Sequence, residues 1–341
     1  MQHLLHSVAT QEELSREEIF SAVSWLADPA ALPEPKCAFL EALRAKGETA
    51  SEIAAFVEAL LHMARDPGID PARLSGPMLD VCGTGGDRLE LFNVSTTCMF
   101  VLAGGGAVVV KHGNRAVTSQ CGGADVLEAL GVRIDLPPDA LRECVYRHGL
   151  GFVFAPLYHP AFATIGPVRR TLAERGVSTV FNLLGPLLNP ARPAHQLVGV
   201  YSCELLPKYA EALRRLGRHR AWAVHGCGAD ELTLAGAAQV IAVEHNALRS
   251  FSVDPLELGF ETAPVSALRG GDRTQNAAIL EGIVSGSLKG PATEAVILNS
   301  AAGFVAAGLE SDLSAGILRA RESITSGAAW AKLDALRTLS V

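Results

Sequence analysis

A chain of 341 residues, of which 49% are hydrophobic, is long enough to bury a large core and to form two domains. Its net charge of −7 and its aromatic content of 6% argue against a broad surface that binds nucleic acid or a membrane. They do not exclude small basic loops. Any polyanionic ligand must therefore be bound by backbone amides, a few well-placed cations and a metal ion.

Seven cysteines are scattered along the chain without a C-x-x-C pair. An odd and irregular set is not typical of a disulfide framework, so we predict small buried side chains in a reducing compartment. The N-terminal sequence MQHLLHSVATQEEL contains neither the basic nor the apolar segment of a signal peptide. We therefore expect a soluble, cytoplasmic protein with no membrane and no nucleic-acid partner.

Residues 1–70 show the pattern of amphipathic helices. The sequences SREE (15–18) and TASE (49–52) are capping boxes, and an apolar stripe with helical spacing follows each of them. The sequence DPG (66–68) is predicted to end the second of these helices. We predict a helical domain over residues 1–74, joined by part of residues 165–192.

From residue 75 onward, short apolar runs alternate with helix-length segments. The runs are residues 78–82, 107–110, 151–155, 197–201, 221–224 and 240–243. This alternation is typical of a mainly parallel sheet covered by helices, and we predict such a domain over residues 75–164 and 193–341. The predicted fold class is α/β, with a large, mainly parallel-sheet domain and a smaller all-helical domain. The proline-rich residues 156–193 are predicted to be helices and loops, and the tail from Asn276 to be helical.

Glycine-containing turns recur between residues 83 and 123. Glycine lets backbone N–H groups approach an anion without interference from a Cβ atom, and a following helix N-terminus attracts negative charge. Ligands of parallel sheets bind beyond the carboxyl ends of the strands, so the loops at 83–87, 111–114 and 225–231 should converge. The polar side chains interleaved with these turns indicate a pocket for a heavily phosphorylated small molecule.

Several of these motifs also have a purely structural interpretation. GTGGD (83–87) is neither a Walker loop nor a G-x-G-x-x-G motif, so on its own an ordinary strand-to-helix turn is slightly favoured. Asn93 is equally well explained as a helix N-cap, whereas Ser95 and Thr96 would place hydroxyls on a metal ion or a phosphate. Two roles explain His112 equally well: a structural imidazole held by hydrogen bonds, and a residue that contacts the ligand.

Two further motifs carry charge. The polar sequence KHGNR (111–115) directly follows a predicted strand, where Lys111 can neutralise phosphate and Asn114 can bridge ribose or substrate. The adjacent carboxylates Asp230 and Glu231 suit Mg²⁺, which binds through one or two carboxylates and substrate phosphates. A solvated acidic pair is the ordinary interpretation, but this loop is predicted to meet two anion-binding loops.

The remaining candidates are weaker. Arg169 suits a substrate carboxylate, and a surface or interdomain ion pair explains it about equally well. No His/Cys cluster has the spacing of a zinc site, and no Ser/His/Asp order supports hydrolysis.

In these motifs the chain closely resembles the anthranilate phosphoribosyltransferase family. The matching segments occur in the family's order and span essentially the whole chain: GTGGD (83–87), FNVST (92–96), KHGNR (111–115), GGADVLEALGV (122–132), HPAF (159–162), PVRR (167–170), FNLLGPLLNPARP (181–193), DEL (230–232), DP-x-x-LG (254–259) and GGD-x-x-x-NAAIL (270–280). KHGN is the most discriminating, since related pyrimidine nucleoside phosphorylases carry a KHS-type sequence there.

The resemblance implies Mg²⁺-dependent transfer of the 5-phosphoribosyl group from phosphoribosyl pyrophosphate (PRPP) to the amine of anthranilate, in tryptophan biosynthesis. It implies a homodimer formed through the helical domain, with the active site between the two domains. The residues implied to bind PRPP are Gly83, Thr84, Gly86, Asp87, Asn93, Ser95, Thr96, Lys111, Ser119 and Gly123. Those implied to face anthranilate are Gly83, His112, Asn114, His159, Arg169, Gly185 and Pro186, and those implied to hold Mg²⁺ are Ser95, Asp230 and Glu231. No covalent catalyst is implied; positioning and electrostatics, chiefly from Lys111 and Asn114, take its place.

Three departures from the family pattern bear on these assignments. Residues 88–91 are bulkier than usual, residues 118–125 lack a lysine and two serines, and the segment between Arg170 and Phe181 is a few residues longer. Two rival functions remain. One is a transferase or nucleoside phosphorylase of the same fold with another acceptor, and the other is a non-catalytic relative that binds nucleic acid.

Overall fold

The computed structural model describes residues 2–87, 89–116 and 120–339. Within them lies a sheet whose strands are β1 (Met78–Gly83), β2 (Val108–Gly113), β3 (Leu150–Phe154), β4 (His195–Gly199), β5 (Arg220–His225), β6 (Ala238–Glu244) and β7 (Ala247–Val253). Their order is β3-β2-β1-β4-β5-β6-β7, in which β1 to β5 are parallel and β6 and β7 are antiparallel. The predicted α/β class with a mainly parallel sheet is confirmed.

The helices fall into three groups along the chain. Before the sheet come α1 (Gln2–Ala9), α2 (Arg16–Ala27), α3 (Pro33–Lys46) and α4 (Ala50–His62). Between the strands lie α5 (Val94–Gly104), α6 (Gly123–Ala129), α7 (Pro138–His148), α8 (Ala155–Tyr158), α9 (Phe162–Glu174), α10 (Phe181–Leu184) and α11 (Leu206–Arg215). The chain ends in α12 (Arg273–Val284), α13 (Pro291–Ala306), α14 (Leu313–Thr325) and α15 (Ala328–Arg337).

Both capping boxes form as the sequence indicates. Ser15 caps α2 together with Glu18, and Thr49 caps α4 together with Glu52. Each box satisfies backbone N–H groups that would otherwise lack partners, which is typically worth about 1 kcal/mol. Helix α4 ends before the DPG sequence, because the chain turns away and the N–H of Arg65 bonds to the carbonyl of Tyr158 at 2.8 Å instead.

The two faces of the sheet are buried in different cores. Leu79, Val109 and their neighbours pack against α5 and α13, whereas Cys82 and Val198 belong to a core that also contains α2, α3, α4 and α9 to α11. Helix α9 contacts α2 and α3, so the segment after β3 packs on the N-terminal helices. A continuous apolar core therefore attaches the helical layer to one face of the sheet.

Two strands differ from the apolar pattern. Strand β7 was not predicted, because most of its side chains are exposed and an edge strand carries no buried run. Strand β2 continues beyond the apolar run, so Lys111 and His112 lie within the sheet, paired with β3, rather than in a loop after it.

The cysteine prediction is only partly correct. All seven cysteines are free, but Cys203 and Cys227 are exposed, so the prediction of burial is wrong for these two. Among the residues that the structure describes, none of the helices combines the length and the apolar character needed to cross a bilayer.

Candidate functional site

The glycine bend after β1 and the acidic loop after β5 meet at one edge of the sheet. Gly83 and Gly199 are neighbours at the carboxyl ends of β1 and β4, and a Cβ atom on either would overlap Asp230. The backbone N–H of Gly85 donates to Asp230 Oδ2 at 2.7 Å. The predicted convergence of residues 83–87 with Asp230 is therefore present in the structure.

We expect Gly199→Ala to destabilise the protein, since the new methyl group would displace the backbone of Asp230. Forcing extra atoms into a packed site costs about 1–3 kcal/mol. Urea unfolding measures this change. Gly236→Ala is the matched control, because Gly236 is outside the left-handed φ region and its methyl group would meet Cys227 Sγ at 3.4 Å, an ordinary contact, so stability should be nearly unchanged. Equal stabilities of Gly199→Ala and wild type would contradict this packing.

Three carboxylates share the space beyond these strand ends. Burial and the neighbouring Asp87 raise the pKa of Asp230 to about 7. Burial, followed by the charge of Asp230, raises the pKa of Glu231 well above its usual range, while a hydrogen bond from the Ser95 N–H acts in the opposite direction. Closely spaced carboxylates that resist ionisation have an affinity for a cation.

The donor set of this cluster fits Mg²⁺. Carboxylate oxygens and the Ser95 hydroxyl are hard ligands of the kind that Mg²⁺ prefers. Within residues 2–87, 89–116 and 120–339, no three His, Cys, Asp or Glu side chains are arranged to hold an ion by themselves. An ion bound here would therefore need oxygen atoms from a second molecule, as is usual for Mg²⁺ bound with substrate phosphates.

Lys111 connects β2 to the N-terminus of α5. Its buried Nζ atom donates to the carbonyl of Val81 at 2.5 Å and to Ser95 Oγ at 3.2 Å. Thr96 is also buried, and its Oγ1 faces Gly123, the first residue of α6. A cation, two hydroxyl-bearing residues and two helix N-termini thus lie beside the acidic cluster.

The bend itself is shaped by backbone contacts. Gly85 and Gly86 have φ angles of 65° and 88°, which residues other than glycine rarely adopt. Thr84 donates its N–H to the carbonyl of Gly199 at 2.9 Å, and its Oγ1 accepts from the N–H of Tyr201 at 3.0 Å. Thr84 therefore ties the bend to the end of β4.

Asn93 connects three loops rather than capping α5. Its side chain makes no capping hydrogen bond; Nδ2 donates to the carbonyl of Cys121 at 3.0 Å, and Oδ1 accepts from Asn276 Nδ2 at 3.0 Å. Asn276 Oδ1 in turn accepts from the N–H of Gly271 at 2.8 Å. Sequence reasoning gave Asn276 no role, because its hydrogen bond to Asn93, 183 residues away in sequence, leaves no local pattern.

The remaining loop of the phosphate side carries Asn114, which is exposed and accepts the N–H of Arg115 on Oδ1 at 2.8 Å. Asp125 fixes this loop by accepting the N–H groups of Ala116 and Gly122. The predicted residue Ser119 lies outside the described residues.

A second cluster lies on the other side of β2. The imidazoles of His112 and His159 are 5.1 Å apart between ring centroids, and His159, Phe162 and Phe181 continue the edge-to-face contacts. The Arg169 guanidinium lies 5.8 Å from the Phe162 ring and 5.6 Å from the Phe181 ring. Arg169 has no ion-pair partner in the described part of the chain and is half-buried, so it is available to an anion.

Gly185 and Pro186 form the wall of this cluster. The carbonyl of Gly185 lies 3.2 Å from His112 Nδ1, and the carbonyl of Pro186 accepts from Gln196 Nε2 at 2.6 Å. Successive strand residues point to opposite faces, so Lys111 reaches the acidic side while its neighbour His112 reaches the aromatic side. The KHGN motif thus lies between the two clusters, which are taken below as the two halves of one candidate cleft.

Both histidines are held in the neutral form. Burial lowers the pKa of His112 to about 3 and that of His159 to about 4, and their Nε2 atoms are buried without a hydrogen-bond partner among the described residues. At neutral pH these rings therefore supply neutral, polar edges to the cleft rather than positive charge.

Protein stability is expected to fall as the pH drops from 6.5 towards 4. An unfolded histidine titrates near 6.5, so in this window the unfolded chain binds protons that folded His112 and His159 do not. Each histidine contributes up to about 1.4 kcal/mol per pH unit. Urea titrations at several pH values measure the free energy of unfolding. Its decrease between pH 6.5 and pH 4 should be smaller in His159→Gln than in wild type. The exposed His62→Gln is the control, and an equal loss in His159→Gln and wild type would contradict the buried neutral ring.

The chain is similar in sequence to known proteins along most of its length. Two models of the Glycosyl transferase family match the chain, the helical bundle domain over residues 2–64 and the a/b domain over residues 75–330. The anthranilate phosphoribosyltransferase of Chloroflexus aggregans is 45% identical over 336 residues, which cover 98% of this chain and 96% of that protein.

Solved structures agree in fold. The anthranilate phosphoribosyltransferase of Thermus thermophilus is similar with a TM-score of 0.91 at 42% identity, covering 98% of both chains. The Saccharomyces cerevisiae enzyme, solved in complex with PRPP and Mg, has a TM-score of 0.83 at 29% identity, covering 95% of this chain and 93% of that one.

Proposed function

The chain belongs to the anthranilate phosphoribosyltransferase family, and we propose that it transfers the 5-phosphoribosyl group of PRPP to the amine of anthranilate, releasing pyrophosphate. The reaction is a step of tryptophan biosynthesis. The observation that carries the proposal is the two-sided cleft. It has a glycine bend and an acidic pair on one side of β2, and on the other an arginine among aromatic rings that has no ion-pair partner in the described part of the chain.

The acidic side is the proposed PRPP half. Backbone amides of the bend at residues 83–87, the N-terminus of α5 and the ammonium of Lys111 all supply positive potential for the diphosphate. Ser95, Asp230 and Glu231 are proposed to hold Mg²⁺, which when bound neutralises charge on the departing pyrophosphate. The Saccharomyces cerevisiae relative, solved with PRPP and Mg, supports this assignment.

The aromatic side is the proposed anthranilate half. Arg169 is proposed to pair with the carboxylate, and Phe162 and Phe181 to pack against the ring edges. Gly185 leaves open space where a Cβ atom would stand, so the wall at this point can accept a flat ligand. The neutral His112 and His159 each keep a ring nitrogen that can accept a hydrogen bond, as from the N–H of an aromatic amine.

The proposed chemistry is displacement at the anomeric carbon. The bond from this carbon to the pyrophosphate oxygen breaks, the bond to the anthranilate nitrogen forms, and the nitrogen then loses a proton, for which the released pyrophosphate is an available acceptor. The protein needs no covalent nucleophile, because it positions the amine in line and stabilises the charge that develops on the leaving group. Excluding water from the cleft protects PRPP from hydrolysis.

The test is an acceptor-specificity assay with purified protein. Incubation with PRPP and Mg²⁺ should consume anthranilate, which is followed by the loss of its fluorescence. The rival activity is phosphorolysis of pyrimidine nucleosides, measured with inorganic phosphate in the same buffer. Turnover of a nucleoside without turnover of anthranilate would overturn the proposal.

The quaternary structure, domain division and location are part of the same proposal. A homodimer through the helical domain at residues 1–74 is supported by the exposed Leu32 and by the partly exposed Phe20 and Trp25 on that layer. Sedimentation velocity tests it, since a monomer at micromolar concentration would contradict it. The division at residues 74 and 75 and a cytoplasmic location stay predictions.

A further inference from the structure

A buried asparagine on α13 holds the backbone of the acidic loop. Asn299 Oδ1 accepts the N–H of Leu232 at 3.0 Å, and its Nδ2 donates to the carbonyls of Leu232 at 2.8 Å and Ala295 at 2.9 Å. Both amide protons have acceptors and the oxygen has a donor, so these contacts determine which way the amide faces. Asn299 therefore pairs with Leu232 as a neighbouring strand would.

The held residue directly follows the acidic pair. Leu232 is fully buried and comes immediately after Glu231. At the other end of the same segment, Asp230 is fixed by the N–H of Gly85 and by close packing on Gly199. The acidic pair is thus suspended between a fixed end at the sheet and a fixed end at α13.

Fixing both ends of this segment holds the carboxylates of Asp230 and Glu231 in place against their mutual repulsion. Adjacent carboxylates in a poorly solvated place repel each other, and a free backbone would let them turn away from the cleft. The Asn299 side chain is neutral, and its contacts go to the backbone of Leu232 and to the helix rather than to the carboxylates. It can therefore fix where the carboxylates stand without competing with a ligand for their oxygen atoms.

We propose that Asn299 is a positioning residue for the reaction, clamping Leu232 so that Asp230 and Glu231 face the diphosphate half of the cleft. This inference rests on the proposed function of the acidic pair. It assigns to α13, a helix outside the cleft, control over the affinity for the Mg²⁺–PRPP pair. The anthranilate half, on the opposite side of β2, is not affected.

The test uses Asn299→Leu, which removes all three side-chain hydrogen bonds, and Asn299→Asp, which as a carboxylate keeps the acceptor for the Leu232 N–H but loses the two bonds that Asn299 donates. Residues that orient metal ligands typically change metal affinity 10- to 100-fold. We expect the Mg²⁺ concentration for half-maximal turnover to rise about 10-fold or more in both variants. Calorimetric titration of PRPP in the presence of Mg²⁺, without acceptor, should show weaker binding of the same order. The KM for anthranilate should stay within about twofold, well below the change in metal affinity.

Ser300→Ala is the matched control, because Ser300 is the next residue of α13, is fully buried, and makes no hydrogen bond to residues 230–232 in the described structure. A loss of thermal stability with unchanged Mg²⁺ and PRPP affinities would show that Asn299 is merely structural and would overturn the inference. Asn299→Asp decides the question if Asn299→Leu does not fold. Absence of wild-type turnover would instead refute the proposed function, so the two failures are distinguishable.

Discussion

The double substitution Asp230→Asn with Glu231→Gln is expected to lower Mg²⁺-dependent kcat/KM by about 10³-fold or more, because losing even one group that stabilises developing charge costs about 10²–10³ in rate. The two carboxylates lie against the glycine bend and the N-terminus of α5, with Asp87 as a third acidic neighbour. Initial rates over a range of Mg²⁺ concentrations measure the effect.

The same substitution should stabilise the protein in the absence of Mg²⁺. Burial raises the pKa values of both acids, and the charge of Asp87 adds to the shift of Asp230 while the charge of Asp230 adds to that of Glu231, so their ionised forms oppose folding at neutral pH. Activity and melting temperature should therefore change in opposite directions. The exposed pair Glu257→Gln with Glu261→Gln removes the same formal charge and should change neither. Full activity of the Asp230/Glu231 variant would remove these residues from the mechanism.

Much of the fold could be predicted because its signals are local. The capping boxes at Ser15 and Thr49 and the buried runs of β1 to β6 are visible within a few residues of sequence. Strand β7 lacked such a signal, because its side chains are mostly exposed and its position depends on pairing with β6 through the turn at His245 and Asn246.

The site was predictable where parallel strands end, since that edge is fixed by topology. GTGGD, KHGN and the acidic pair were identified on this basis and from the family resemblance. The residues that hold them in place were not, because Asn276, Asn299 and Gln196 act from distant segments. Hydrogen bonds between segments that are far apart in sequence leave no periodic pattern, so only the folded structure shows them.

Gln196 is a residue whose role the sequence did not reveal. It is fully buried on β4, donates to the carbonyl of Pro186 at 2.6 Å, and accepts from Arg218 Nε on Oε1 at 3.1 Å. In the sequence, Gln196 is simply a polar residue before the apolar run that begins at Leu197, and nothing marks it as buried. In the structure it holds the wall of the aromatic half of the cleft, with Arg218 fixing its amide.

Arg169→Ala is expected to raise the KM for anthranilate by about 10- to 100-fold, since a hydrogen bond to a charged group is worth about 1.5–3 kcal/mol. The KM for PRPP and the Mg²⁺ dependence should change little, because Arg169 lies among Phe162 and Phe181 on the far side of β2 from Asp230. Steady-state kinetics with each substrate varied in turn separate the two halves of the cleft.

Arg169→Lys tests what the guanidinium contributes beyond charge. Lysine keeps the positive charge but lacks the planar fork that pairs with a carboxylate and lies over aromatic rings, so an intermediate loss is expected. Arg170→Ala, next in sequence and exposed, is the control and should behave as wild type. An equal rise in the KM values for PRPP and anthranilate in Arg169→Ala would mean that the residue supports the whole cleft, because a contact confined to the carboxylate can weaken only the substrate that carries it.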